Sequence, residues 1–193
     1  EAGLVEAEHA LQVLRAVVQV VRHLVLVGDQ EQIVSLLNEH GLDPSFFTIL
    51  HASQVIDMHE HPTKALKEKT QSSISIGFHL LASGKIDAFI SAGNTGAMMV
   101  GALFSIKAIE GVQRPTIGAY LPRENGKLGW LLDVGINADC KPENLQQFAI
   151  LGSLFVQHVW GTEKPRVALV NIGEEEGKGN ILTQAAYPLL KAC

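Results

Sequence analysis

Hydrophobic positions along this chain fall into two rhythms: short continuous apolar runs, and longer stretches in which apolar residues recur three and four apart. Leu4, Val5, Ala10, Leu11, Leu14 and Val18, with Glu6, Glu8 and Arg15 between them, predict an opening helix. His23 to Val27 is a β-rich run of the kind buried on both faces of a parallel sheet, and it ends at Gly28-Asp29. Ile33, Val34, Leu36 and Leu37 predict the next helix, stopped by His40-Gly41 ahead of Asp43-Pro44. A second strand is expected over Phe47 to His51, a helix over Ser72 to Leu81 ahead of Gly84, and a buried strand over Ile86 to Ser91. That strand turns through Gly93-Asn94-Thr95-Gly96 into an apolar helix predicted over Thr95 to Ile109, where Met98 and Met99 read as core filler. Arg114 to Pro122 and Leu128 to Val134 read as two strands paired antiparallel through the turn Glu124 to Lys127, a hairpin that would suit a dimer surface. A helix over Leu145 to Trp160 ends at Gly161; a strand from Arg166 then enters a glycine-rich loop and a last helix.

This alternation predicts an α/β fold on a mostly parallel sheet, organised as a single α/β domain over residues 1–193. Such a unit normally begins with a strand, whereas here a helix comes first and no strand closes the chain, so the expected domain is incomplete at both ends. With 193 residues and 47% hydrophobic content the chain is able to bury a large core. A mixed net charge of −5 without a long basic run excludes nucleic acid as the main partner. Cys140 and Cys193 lie far apart without metal-type spacing, which fits a reducing, cytoplasmic compartment. Apolar stretches such as Ala97 to Ile106 fall short of the ~20 residues that cross a bilayer, leaving peripheral membrane contact open.

Candidate chemistry gathers at three strand-to-loop junctions, which a parallel sheet would bring to one edge. At the first, Gly93 and Gly96 allow close approach of the backbone, and the first amides of the helix, around Asn94 and Thr95, lack intrahelical acceptors and suit a phosphate. The same turn is also how any α/β protein changes direction. The second junction holds Asp133, Asn137, Asp139 and Lys141. Pro142, Asp139 and Glu143 account for part of that composition as helix capping, but a carboxylate, an amide and an ammonium in one short loop go beyond it. Cys140 there reads as a nucleophile or, in the absence of a nearby His, as a small buried thiol. The third junction sets Lys178 between two glycines after Asn171, with Glu174 to Glu176 beside it: either a cation reaching for an oxyanion, or a solvated loop. His59, Glu60 and His61 invite a metal reading, but neighbouring positions in one loop rarely converge on one ion, so no metal or cofactor is expected. Lys64, Lys67 and Lys69 form a basic cluster, either a solvated face or a contact for an acidic partner.

Taken together, Val25 to Asp29, His51-Ala52-Ser53, the Pro62 to Ser73 passage, Ser91 to Gly96, Leu132 to Pro142 and Asn171 to Asn180 stand in the order and spacing of the PlsX family. The chain resembles these bacterial phosphate acyltransferases along nearly its whole length. The resemblance implies a three-layer α/β/α sandwich of the isocitrate dehydrogenase-like and phosphotransacetylase-like kind, cytoplasmic, homodimeric and in some cases membrane-associated. It also implies transfer of a fatty acyl group from acyl-acyl carrier protein to inorganic phosphate, giving acyl phosphate for phospholipid synthesis. By that resemblance and loop position, Lys178, Lys141 and Asn171 form the catalytic set, while Gly93, Asn94, Thr95, Gly96, Asp133, Asn137 and Asp139 bind substrate. The chain departs from the family's pattern at its ends, lacking the opening strand with its Asp-Ala-Met-Gly-Gly-Asp-His type loop and the further strands expected beyond the position of Cys193, and His59 and His61 stand where acidic residues are typical. A phosphotransacetylase acting on acyl-CoA, and a non-catalytic module that docks acyl carrier protein, are the alternative readings. No Gly-x-Gly-x-x-Gly follows a strand, which leaves a nicotinamide dehydrogenase without a motif.

Overall fold

The computed structural model describes residues 23–175 and 177–193, so the expected helix over Leu4 to Val18 lies outside the described residues. The chain divides into two compact units, Glu1–Lys107 and Ala108–Cys193.

In the first unit, β1 (Val25–Gly28) pairs parallel with β2 (Thr48–His51), in a register that sets Val25 against Thr48 and Gly28 against His51. Between them runs α1 (Gln30–Glu39), started by Asp29, whose carboxylate accepts from Gln32 N at 2.9 Å. The chain then forms α2 (Pro62–Glu68), α3 (Ser73–Ala82) and α4 (Thr95–Ser105). Ile74 and Phe78 lie four apart on α3 and meet Ile56, Ala65 and Ala97 in the core, with Phe89 and Met98 packed against them. The Phe78 and Phe89 rings meet edge to face at 5.1 Å. Met98 is core filler, as its pattern predicts. The helix α2 was not predicted from periodicity; Pro62 at its first turn supplies a preset φ, and burial of Ala65 provides its packing.

In the second unit, β3 (Gly118–Pro122) and β4 (Leu128–Leu132) form the expected antiparallel hairpin, with Gly118 opposite Leu132 and Pro122 opposite Leu128. The long helix α5 (Pro142–Trp160) packs on β4, and α6 (Ile181–Lys191) packs on α5. Aromatic rings join hairpin to helix: Trp130 stacks on Phe155 at 4.3 Å and Tyr120 stacks on Trp160 at 5.8 Å.

The architecture is thus α/β, with one parallel and one antiparallel strand pair among helices. Two expected strands, over Ile86 to Ser91 and from Arg166, form no ladder among the described residues. A strand exists through its neighbour's hydrogen bonds, and neither segment has one; Ile90 and Val170 stay 69% and 76% exposed. The apolar helix ends at Ser105 rather than Ile109, since Lys107 takes a left-handed φ of 64° that no helix continues. Among the described residues, no helix is long and apolar enough to cross a membrane.

Candidate functional site

The first junction belongs to the first unit and is organised by Asn94, which is 4% exposed. Its Oδ1 accepts from Ala97 N at 2.9 Å and so caps α4. Its Nδ2 donates to the carbonyls of Asp57, Met58 and Glu60 at 3.0, 3.2 and 3.1 Å. Both ends of the side chain are therefore taken up inside the protein. What the turn presents outward is Thr95, exposed, together with the amides of Thr95 and Gly96, which have no acceptor among the described residues. Gly93 N is used locally, donating to Ser91 Oγ at 3.1 Å. A Cβ on Gly96 would collide with the Pro62 ring, so the glycine there lets α2 pack against the turn.

The turn that Asn94 grips is tied a second time. The Glu60 carboxylate accepts from Lys69 Nζ at 2.6 Å and from Asp57 N at 2.8 Å, and Lys69 Nζ also donates to the Val55 carbonyl at 2.7 Å. The Lys69 ammonium first, and the Asp57 amide second, hold the Glu60 carboxyl below its ordinary value. Lys69 is thus withdrawn from the basic cluster, whereas Lys64 and Lys67 are exposed.

At the second junction, in the second unit, Asp133 is the hub. Its carboxylate accepts from Ile117 N (2.9 Å), Thr116 Oγ1 (3.2 Å), Ile136 N (3.2 Å), Asn137 N (2.7 Å) and Asn137 Nδ2 (3.1 Å). Asn137 Nδ2 also donates to the Pro115 carbonyl at 2.8 Å. Burial opposes ionisation of Asp133, but the amides of Ile117 and Asn137, with the side chains of Asn137 and Thr116, outweigh it and lower the carboxyl below 3.8. The pair sews the loop to the segment before β3 and leaves Asp139 and Lys141 exposed. The Lys141 ammonium has no partner among the described residues, while its backbone is held: Lys141 N donates to Asn144 Oδ1 at 2.8 Å. The Asn144 side chain, 3% exposed, reaches on through Nδ2 to Gln113 Oε1 at 3.0 Å. Asn144 was missed from sequence; an amide three residues into a helix, just after a proline at its first position, was the available signal.

Replacing Asp133 with asparagine turns one of the two acceptor oxygens that face these five donors into a further donor, which is expected to cost about 2 kcal/mol at neutral pH. Because the folded carboxyl titrates below its unfolded value, its stabilisation is present above 3.8 and is lost as pH falls through the folded value. Urea midpoints for wild type and Asp133→Asn should therefore lie apart at neutral pH and draw together below 3.8. Equal midpoints at neutral pH would remove Asp133 as the hub of the loop.

At the third junction, the loop before α6 is held from both sides. Asn171 Nδ2 donates to the Lys178 carbonyl at 2.9 Å, and Gln184 Nε2 donates to the carbonyls of Gly177 and Gly179 at 3.0 and 3.1 Å. Lys178 N closes a turn onto the Glu175 carbonyl at 2.9 Å, and Asn180 caps α6 through Thr183 N at 2.9 Å. Gly179 takes a φ of +105°, a conformation that a side chain would strain. The loop backbone is thereby fixed while the Lys178 ammonium has no partner among the described residues. The loop opens on a cleft of about 1090 Å³ between α5, the 165–175 segment and α6, lined by Asn171, Glu174, Glu175 and Lys178. Of the sequence-derived set, this cleft gathers Asn171 and Lys178; Asp133, Asn137, Asp139 and Lys141 lie outside its lining, and Gly93, Asn94, Thr95 and Gly96 belong to the other unit.

Comparison with known proteins bears on which chemistry these loops serve. Residues 7–193 match the family described as "Fatty acid synthesis protein". The phosphate acyltransferase of Acetivibrio thermocellus is 48% identical over 167 residues, covering 86% of this chain and 49% of the relative. That of Elusimicrobium minutum is 47% identical over 177 residues, covering 91% and 52% respectively. That of Dictyoglomus turgidum is 46% identical over 168 residues, covering 87% and 50%. The chain spans about half the length of the curated relatives it matches. Matched from residue 7 to its last, this chain belongs to the fatty acid synthesis protein family, among whose members it is similar to phosphate acyltransferases.

Proposed function

We propose that the protein carrying this chain transfers a fatty acyl group from acyl-acyl carrier protein to inorganic phosphate, yielding acyl phosphate for phospholipid synthesis. The observation that carries the reading is Lys178, an ammonium without a partner among the described residues on a rigidly tied loop, in a chain 48% identical to a phosphate acyltransferase. The reaction asks little covalent help of the protein, because a thiolate of pKa roughly 8.5 leaves readily. A phosphate oxygen attacks the thioester carbonyl and forms a C–O bond; the tetrahedral oxyanion then collapses, the C–S bond breaks, and the thiolate departs to be protonated by solvent. The protein's work is to orient the phosphate and to stabilise the oxyanion with fixed donors. Taken by itself, the first unit offers a turn suited to phosphate, the amides of Thr95 and Gly96 shaped by Gly93 and Asn94. Taken by itself, the second unit offers positive charge for an oxyanion at Lys178, whose loop Asn171 holds, and a second cation at Lys141, on the loop that Asp133, Asn137 and Asp139 shape, outside the cleft that Lys178 lines. The reading extends to a three-layer α/β/α sandwich, to a cytoplasmic homodimer and to peripheral membrane contact.

The test is direct. The protein carrying this chain is incubated with palmitoyl-acyl carrier protein or palmitoyl-CoA, with and without phosphate, and acyl phosphate is trapped as the hydroxamate. Phosphate-dependent hydroxamate from the carrier-protein thioester, in excess of that from CoA, is the expected result. Preference for CoA would move the substrate to the phosphotransacetylase class. Binding of the carrier protein without phosphate-dependent thioester loss would leave only a docking module.

A further inference from the structure

The turn between β3 and β4 holds the one asparagine of the chain that is followed by glycine, Asn125-Gly126. Two backbone bonds close it: Gly126 N donates to the Arg123 carbonyl at 2.9 Å, and Arg123 N donates to the Lys127 carbonyl at 3.0 Å. Gly126 takes a φ of +72°, a conformation that suits glycine. The space beside it is open, since a Cβ built there meets nothing within 4 Å outside its chain neighbours. Residues 123–127 are all exposed, so water reaches every atom of the turn.

The side chain of Asn125 is set apart from the other asparagines by what its two ends do. Its Oδ1 accepts from Lys127 N at 3.1 Å, a bond that draws electron density away from Cγ. Its Nδ2 has no partner among the described residues. By contrast, the side-chain nitrogens of Asn94, Asn137, Asn144 and Asn171 each donate to a protein oxygen, and to leave they would have to break those bonds. Every asparagine except Asn125 is also followed by a residue that carries a Cβ, which crowds its main-chain nitrogen.

We propose that Asn125 is a site of spontaneous deamidation, with water as the co-reactant, through which the hairpin turn gains a carboxylate as the protein ages. The Gly126 nitrogen gives its proton to hydroxide and attacks Asn125 Cγ. A C–N bond forms, the bond from Cγ to Nδ2 breaks, and Nδ2 departs as ammonia, leaving a cyclic imide. Water then opens the imide without any oxidation or reduction. Cleavage at Cγ yields aspartate; cleavage at the main-chain carbonyl yields isoaspartate, whose backbone runs through Cγ and is longer by one methylene. Gly126 must first release the Arg123 carbonyl, and a single exposed bond at a loop tip opens readily. The product adds one negative charge to a chain of net charge −5. The site is independent of the acyl-transfer reading.

The protein carrying this chain is aged in mildly alkaline buffer, digested and mapped by mass, and isoaspartate is counted by labelled methyl transfer from an isoaspartyl methyltransferase. The peptide holding Asn125 should gain about one dalton at least about tenfold faster than those holding Asn38, Asn137, Asn171 or Asn180. Asn125→Gln, whose side chain is one methylene too long for the same ring, should abolish both signals. Gly126→Ala should slow conversion by about tenfold. A synthetic peptide of residues 119–131 supplies the rate without the fold, and the folded protein should convert within about tenfold of it. Conversion of the peptide with none in the folded protein would show that the turn protects Asn125, and would overturn the proposal. So would another asparagine converting as fast, methyl acceptance undiminished in Asn125→Gln, or a wild-type rate in Gly126→Ala.

Discussion

Lys178→Ala is expected to slow acyl-phosphate formation by about a hundredfold to a thousandfold, the loss that follows removal of one fixed donor to an acyl-transfer oxyanion. The fall should appear mainly in kcat, because a charge that matters most as the oxyanion develops contributes more to the transition state than to the bound thioester. Stability should be nearly unchanged. The loop owes its shape to Asn171 and Gln184 bonding its carbonyls, and the exposed ammonium takes no part in that. Lys178→Arg should recover only part of the rate, since a planar guanidinium on a longer stem does not place its charge at the same point. Turnover of Lys178→Ala equal to wild type, in a protein that does form acyl phosphate, would take Lys178 out of the reaction.

Asn94→Asp carries the second large expectation, and its sign separates two accounts of the first junction. As a helix cap alone, aspartate equals asparagine, and the helix dipole even favours the negative charge. The structure gives Asn94 a second task, because its amide donates to three carbonyls at 3.0 to 3.2 Å from a buried position. Aspartate would set a carboxylate oxygen against those three oxygens, with an expected loss of about 3 kcal/mol at neutral pH. A carboxyl so placed would have its folded pKa raised, so the penalty is full above that value and eases as pH falls through it. Urea unfolding of Asn94→Asp across pH reads both size and direction. Asn94→Ser, which keeps a capping oxygen but leaves the carbonyls without a donor, should fall between wild type and Asn94→Asp. An Asn94→Asp protein as stable as wild type would mean that the grip on the 57–60 turn contributes nothing.

Apart from α2, the described helices and the hairpin were legible because their signals are local. Asp29, Ser72, Asn94 and Asn180 each announce a helix start with a capping side chain, and alternation on either side of Asn125-Gly126 announces the turn between β3 and β4. The segments over Ile86 to Ser91 and from Arg166 misled because composition reports fitness for a sheet, while the strand itself requires a neighbour. The polar loops were legible as places but not as roles. Asn94 and Asp133 carry the residue types that bind anions and cations, and both turn out to spend their side chains on backbone groups far away in sequence, from Asp57 in one case and Ile117 in the other. No periodicity reveals such a partner. The groups left outward, the amides of Thr95 and Gly96 and the ammoniums of Lys141 and Lys178, are those whose neighbours need nothing from them.

The aromatic cluster of the hairpin has a practical corollary. The chain's two tryptophans, Trp130 and Trp160, both sit in the second unit, with ring centroids 6.1 Å apart beside Tyr120 and Phe155. Indole emission from this chain therefore originates within residues 108–193. Circular dichroism at the peptide wavelengths samples helices of both units, and any offset between the two melting profiles measures how independently the halves come apart.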